Sequence, residues 1–151
     1  MMIQVQEKPY LTGRAFMFSV SKGEDLLQTI QYFCHHHQVR CGVITAIGAV
    51  ERATFGVYDQ KAKKYTKINI EKEMEILSLS GNVSLFDDKP MVHAHITLSD
   101  MEGKAFGGHL MGGTKVFSLE VFIQELTGDL KVRKLEKSTQ LPLWANPLAL
   151  K

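Results

Sequence analysis

Three histidines fall at spacings that suit a metal ion. His93 and His95 sit two apart in Val92-His93-Ala94-His95-Ile96, and His109 follows Gly107-Gly108. Successive side chains of a β-strand point to opposite faces, so His93 and His95 share one face while Val92, Ala94, Ile96 and Leu98 share the other. One face is polar and the other belongs to a core. Between the two histidine segments, Met101-Glu102-Gly103 fits a three-residue hairpin loop ending in a left-handed residue, a conformation glycine adopts without strain. That loop sets Asp100 opposite Lys104, and the same register sets His95 opposite His109 and His93 opposite Met111. The three imidazoles then share a face. Neutral imidazole nitrogens bind Zn²⁺ at about 2.0–2.1 Å, and three protein ligands with an open fourth position are the pattern of a reactive zinc site. Nickel, copper or iron also suit such a donor set. A one-residue slip would carry His109 to the opposite face.

Glu75-Ile76-Leu77-Ser78-Leu79-Ser80-Gly81, His93-Ala94-His95 and Gly107-Gly108-His109, taken in this order, resemble the plants-and-prokaryotes conserved (PPC) domain in its prokaryotic single-domain form. The similarity runs from about Gly13 to Leu126. The resemblance implies a fold built around an antiparallel sheet, a homotrimer, and a divalent metal, zinc first, bound by His93, His95 and His109. It also implies a DNA-binding or regulatory role, the description commonly given to prokaryotic members. Plant members carry the domain beside AT-hooks and lack these histidines, so metal and DNA need separate arguments.

The elements that must position the histidines read as α+β: an antiparallel sheet core with one main helix. Arg14–Val20 reads as a buried strand. Ser21 and Glu24 fit a capping box, and Leu26, Leu27, Ile30, Phe33 and Cys34 recur at helical spacing up to about Gln38. His35, His36 and His37 end this helix; consecutive helical residues point about 100° apart, so they do not converge on one ion. Val43–Val50 reads as a strand with Ala53–Tyr58 as its partner, and Gly48 as a bulge. Thr66–Ile70, Met74–Ser80 and Asn82–Phe86 follow as strands, with a turn at Asp87-Asp88-Lys89-Pro90. Met91–Ser99 and Lys104–Met111 form the histidine hairpin; Lys115–Glu125 follows, and Leu130–Leu135 reads as a last strand. Residues 1–137 make one domain. Residues 138–151 form an apolar strap with the only tryptophan, Trp144, whose prolines oppose helix or central-strand pairing; it lies on its own or a neighbouring subunit.

Composition bounds the function. The 151 residues, 44% hydrophobic, suffice for one core without disulfides. Cys34 and Cys41 read as free thiols. With no apolar run of about 20 residues and no signal-peptide core at the start, the protein is expected in the cytoplasm, away from membranes. Eighteen basic and 16 acidic residues give a net charge of +2, well short of a strongly basic duplex binder. Lys61, Lys63, Lys64 and Lys67 form one basic cluster; Lys131, Arg133, Lys134 and Lys137 form another, both read as solvated. Nucleotide-binding glycine loops, a nucleophile elbow, paired Cys-x-x-Cys motifs and an AT-hook core are all absent. The first functional reading is a homotrimeric DNA-binding or regulatory module holding a divalent metal. The alternative is a zinc-dependent enzyme acting on a small carbonyl or phosphoryl substrate. No catalytic residue is assigned to it: Glu120 shares the histidine face if Gly112-Gly113 is a two-residue turn, but one register step removes it, and a buried structural carboxylate is the equal alternative.

Overall fold

The structure, a computed structural model, describes residues 8–145. Those residues form nine strands and one helix: β1 (Leu11–Val20), α1 (Leu26–His36), β2 (Gly42–Asp59), β3 (Lys64–Ile70), β4 (Met74–Phe86), β5 (Lys89–Ser99), β6 (Ala105–Leu110), β7 (Lys115–Thr127), β8 (Arg133–Glu136) and β9 (Leu141–Trp144). The main sheet runs β1-β7-β2-β4-β5-β6 with β3 attached to β2, and all its ladders are antiparallel. An antiparallel sheet with one main helix is the architecture the pattern predicted.

Strand β2 organises the sheet. At roughly 3.3 Å per residue an 18-residue strand would run about 60 Å if straight, so it bends. Register shifts fall between Ala46 and Gly48 against β4, and between Ala49 and Arg52 against β7. Gly48 has φ +150°, and a Cβ there would lie 2.1 Å from the Ser118 carbonyl oxygen. The first half of β2 pairs with β4 and β7, and the second half with β3. That second half also reaches β6 through Phe55↔Leu110 and Gly56↔His109. The sheet therefore closes on itself through β2-β4-β5-β6. Val43–Val50 and Ala53–Tyr58 are thus two halves of one strand rather than partners, because the bulges bend the chain without reversing it. Met74–Ser80 and Asn82–Phe86 likewise merge into β4, for Gly81 passes under the β5 backbone without breaking the ladder.

Helix α1 lays Leu26, Ile30 and Cys34 against Ile44, Leu79, Ile96, Leu98 and Ile123, all buried. Its N-cap is Asp25, whose carboxylate accepts from the Gln28 amide, rather than the Ser21–Glu24 box. The other Asp25 oxygen accepts from the Gly113 amide, so this cap also fixes the chain after β6. Gln31 on α1 donates to Pro90 O and accepts from Val92 N, tying the helix to the start of the histidine strand. The aspartates of the β4–β5 turn, Asp87 and Asp88, both take positive φ (49° and 58°), as a two-residue hairpin of the favoured hand requires.

Strand β1 is less enclosed than its apolar sequence implies. It is an edge strand paired only with β7, and Met17 is 83% exposed. The segment after β7 does not add a strand to the sheet between Leu130 and Leu135. Its extended part is β8, which pairs with β9 as a separate hairpin. Pro142 is tolerated in β9 because that strand has a single partner. This part of the tail lies on its own chain: Trp144 Nε1 donates to Ser84 Oγ at 3.0 Å, and Ala145 N to Val132 O. Residues 146–151 of the expected strap lie outside the described residues.

Gly107 is the tightest test of the β5–β6 ladder, since a Cβ there would meet the Ile96 carbonyl oxygen at 1.9 Å, whereas at Gly112 the nearest atom is 3.7 Å away. Gly107→Ala should destabilise the protein by about 1–3 kcal/mol through forced backbone separation. Gly112→Ala should stay within about 0.5 kcal/mol. Chemical denaturation of both variants measures the contrast, and equal stability would contradict it.

Candidate metal centre

The hairpin turn forms as its residues dictate. Gly103 takes φ +79°; its amide donates to Asp100 O, and Asp100 N donates to Lys104 O. The Asp100 carboxylate accepts from the Glu102 and Lys104 amides at 3.0 and 2.9 Å. From this turn the ladder runs back through Ser99↔Ala105 to His95↔His109, the pairing the turn predicts. It stops there. Met111 does not pair with His93, because its amide donates to Thr54 O as the chain crosses toward β2; His93 faces Asn82 of β4 instead.

The three rings nonetheless meet. Their centroids lie 5.3 Å (His93–His95), 5.0 Å (His93–His109) and 5.6 Å (His95–His109) apart. One ring nitrogen from each lies within 4.8 Å of the others, a cluster able to hold a metal ion. His95 is exposed; His93 and His109 are half-buried. Tyr65 of β3 stacks on His109 at 4.7 Å. It fits there because Gly56 has no side chain: a Cβ would meet Tyr65 at 2.9 Å and Met111 at 2.4 Å. His109 Nδ1 is buried with no hydrogen-bond partner among the described residues. An imidazole nitrogen denied both water and protein partners is costly unless something else satisfies it, and a cation is what a lone pair in this cluster accepts. The donor set, three imidazoles and no carboxylate, suits zinc and its borderline neighbours.

Burial, reinforced by Arg133 and the other imidazoles, pushes His93 down to about 4, and burial also lowers His109. Both are therefore neutral at physiological pH, the form a metal requires. His35, His36 and His37 take no part: at the end of α1 His36 stacks on Tyr32 and His37 packs against Phe16 and Phe33, and none of the three belongs to the cluster. Glu120 does not join the site. Strands β6 and β7 are not paired, and Glu120 lies opposite Ser19 and Ile47, with β2 and β4 between it and β5. Gly112-Gly113 docks on the Asp25 cap instead of making the tight turn that would have brought Glu120 near.

Arg133 is the residue that the sequence hid. It belongs to the cluster read as solvated, yet it is buried: Nε donates to Ser84 Oγ at 2.8 Å, Nη1 to Pro142 O at 3.0 Å and Nη2 to Asn82 Oδ1 at 2.8 Å. Nη2 also stands 3.4 Å from His93 Nδ1. Trp144 covers the guanidinium at 5.5 Å. The one signal available was an arginine, with its planar fork, among three lysines. Lys134 and Lys137 are exposed as expected, as are Lys61, Lys63, Lys64 and Lys67.

The model of the Plants and Prokaryotes Conserved (PCC) domain matches residues 8–127. The chain belongs to the PCC domain family. Its fold superimposes on a PPC protein from Pyrococcus horikoshii with a TM-score of 0.89, 39% identity, and coverage of 95% of this chain and 99% of that one. A metal-containing protein from Archaeoglobus fulgidus gives a TM-score of 0.87 at 38% identity, covering 94% and 100%. Among curated proteins, a bifunctional GlmU from Synechococcus is 32% identical over 114 residues, 74% of this chain; the chain spans only 17% of that relative's length. Among the described residues of this PCC domain no helix is long and apolar enough to cross a membrane.

The depressed His93 has a sign-definite consequence for the metal-free protein. Unfolding returns the imidazole to about 6.5, so the unfolded state binds more protons between that value and about 4. Stability from this residue is fully present above about pH 6.5 and is lost as pH falls toward 4. Chelator-treated protein should lose Tm across that window, and His93→Gln should lose less. Identical pH profiles would assign the decline to other groups.

Proposed function

We propose that this PCC-domain chain is a cytoplasmic homotrimer that holds a divalent metal, Zn²⁺ first, through His93, His95 and His109, and serves as a DNA-binding or regulatory protein. The observation that carries the metal is the convergence of one ring nitrogen from each of His93, His95 and His109 within 4.8 Å, with the Nδ1 of His109 left without a partner among the described residues. The Archaeoglobus relative, named as metal-containing, supports it. A bound divalent cation would supply Lewis acidity at an open fourth position. The chain's own residues do the rest. The β5–β6 ladder sets His95 against His109, Arg133 and Asn82 flank His93, and Tyr65 shields one side of His109 from water.

The homotrimer is supported by apolar side chains on the sheet face that α1 leaves uncovered. Met17 and Phe122 are direct partners, and Val43 and Ile47 flank Thr45 opposite Phe122, all of them exposed in the single chain. A contiguous patch of this kind marks an association surface. DNA binding is supported by a protein of the same fold from Bacteroides thetaiotaomicron, provisionally named as DNA-binding. The exposed lysines at the β2–β3 turn would contact phosphates. The enzyme reading is weaker, because no carboxylate among the described residues belongs to the histidine cluster to act as a general base.

Metal analysis of untagged protein tests the centre. His93→Ala, His95→Ala and His109→Ala should each cut bound metal at least tenfold, whereas His35→Ala, His36→Ala and His37→Ala should leave it unchanged. Equal metal in wild type and a folded triple His93→Ala/His95→Ala/His109→Ala variant would end this reading. For assembly and DNA, sedimentation at micromolar concentration should report a trimer. Duplex affinity should fall with salt at a log-log slope near −0.9 per neutralised phosphate, less steeply when Lys61, Lys63, Lys64 and Lys67 become Gln. A monomer, or no binding at low salt, refutes the corresponding part.

A further inference from the structure

The histidine cluster is backed by a cation that no ion pair among the described residues neutralises. Arg133 is 6% exposed, its hydrogen-bond acceptors, Ser84 Oγ, Pro142 O and Asn82 Oδ1, are all uncharged, and its Nη2 stands 3.4 Å from His93 Nδ1. Among the described residues it enters no ion pair. No acidic group figures among the charges acting on His93 or His109. Buried cations are ordinarily paired with an anion. Here the nearest acceptor of the expected kind is an amide, Asn82, where an aspartate would fit.

A divalent ion on three neutral imidazoles keeps its full charge. Beside Arg133 it would add a second positive centre of the same sign, with no carboxylate in the cluster among the described residues to compensate. Like charges at this range repel, and their repulsion is relieved when an anion sits against both. We propose that the open position of this centre is built for an anionic oxygen ligand, a carboxylate or phosphate oxygen, and that Arg133 makes metal and anion bind cooperatively. The proposal rests on the metal reading above and adds the ligand class. Guanidinium is suited to both oxyanions, and the exposed edge of His95 leaves a side open to solvent. Because binding free energies are reciprocal, an anion that binds better with metal present must tighten the metal by the same factor.

The test uses full-length protein loaded with Co²⁺, whose visible spectrum reports its ligands, and the probes are acetate and, separately, inorganic phosphate. In wild type each anion should shift the cobalt spectrum, and saturating acetate should tighten Co²⁺ binding by about tenfold, within the usual range of such couplings. Arg133→Gln should bind Co²⁺ with that tightening reduced to about twofold or less; Arg133→Lys, which keeps the charge, should retain most of it. If Arg133 only latches the β8–β9 hairpin, both substitutions leave the tightening at its wild-type size, and the proposal fails. Should Arg133→Gln not fold, Asn82→Asp decides: a carboxylate beside Arg133 supplies the missing negative charge, so Co²⁺ should still bind while acetate loses its effect. A full acetate effect in Asn82→Asp overturns the proposal. Wild-type protein that binds Co²⁺ but responds to neither anion overturns it while leaving the metal centre intact, whereas protein that binds no Co²⁺ removes both.

Discussion

Side chains alternate across a strand with a period of two, so the β5–β6 register decides whether His109 meets His95 or faces the other side of the sheet. That register is held locally and globally. Locally, Gly103 and the Asp100 carboxylate fix the turn. Globally, Gly107 and Gly108 pack against the Ile96 and Gly56 carbonyls so closely that neither position has room for a Cβ. The second contact exists only because β2 is long enough to bend round and touch β6, so the site depends on a bulge some distance away at Gly48.

This division explains what could be read from the sequence. The hairpin was legible because turn chemistry is local: a glycine in the left-handed position three residues after an aspartate determines the count, and the count determines which histidines face each other. The closure of the sheet was not legible, because no local pattern distinguishes two paired strands from one strand bent by a bulge. Val43–Val50 and Ala53–Tyr58 have the same apolar character either way. The failures at Met111 and at Glu120 are also non-local. Met111 assumed that the β5–β6 ladder runs on past His109, but its amide turns to Thr54 O of β2; Glu120 assumed a hairpin between β6 and the next strand, but the Asp25 cap captures Gly113.

Arg133 was misread for a different reason. Composition places it with lysines, and lysines on a sheet edge are normally solvated. Its burial follows from Ser84 and Asn82 of β4 and Trp144 of β9, which enclose it only when the β8–β9 hairpin folds over β4. Tyr65 is similar: its place on His109 requires a glycine at position 56 and the pairing of β3 with β2. Residues that contact a site through tertiary packing carry no spacing signal, whereas residues that share one hairpin do.

The electrostatics of this protein are set by location rather than total charge. A net charge of +2 is too small to govern association on its own. Position concentrates it. Arg133 lies behind His93, and Tyr65, which covers His109, stands on the same short strand as Lys64 and Lys67. Several acidic groups are paired away from the histidines, Glu125 to Arg14, Glu51 to Lys22 and Glu102 to Lys104, while Asp59 stays in the β2–β3 turn and accepts from the Lys61 and Ala62 amides. A divalent ion at the histidines would add to the positive potential at this part of the sheet, and carboxylate ligands, which would cancel it, are missing from the donor set. An oxyanion would therefore be drawn to the metal-loaded cluster. The carboxylate-free donor set and the guanidinium, which enters no ion pair among the described residues, are what create that attraction.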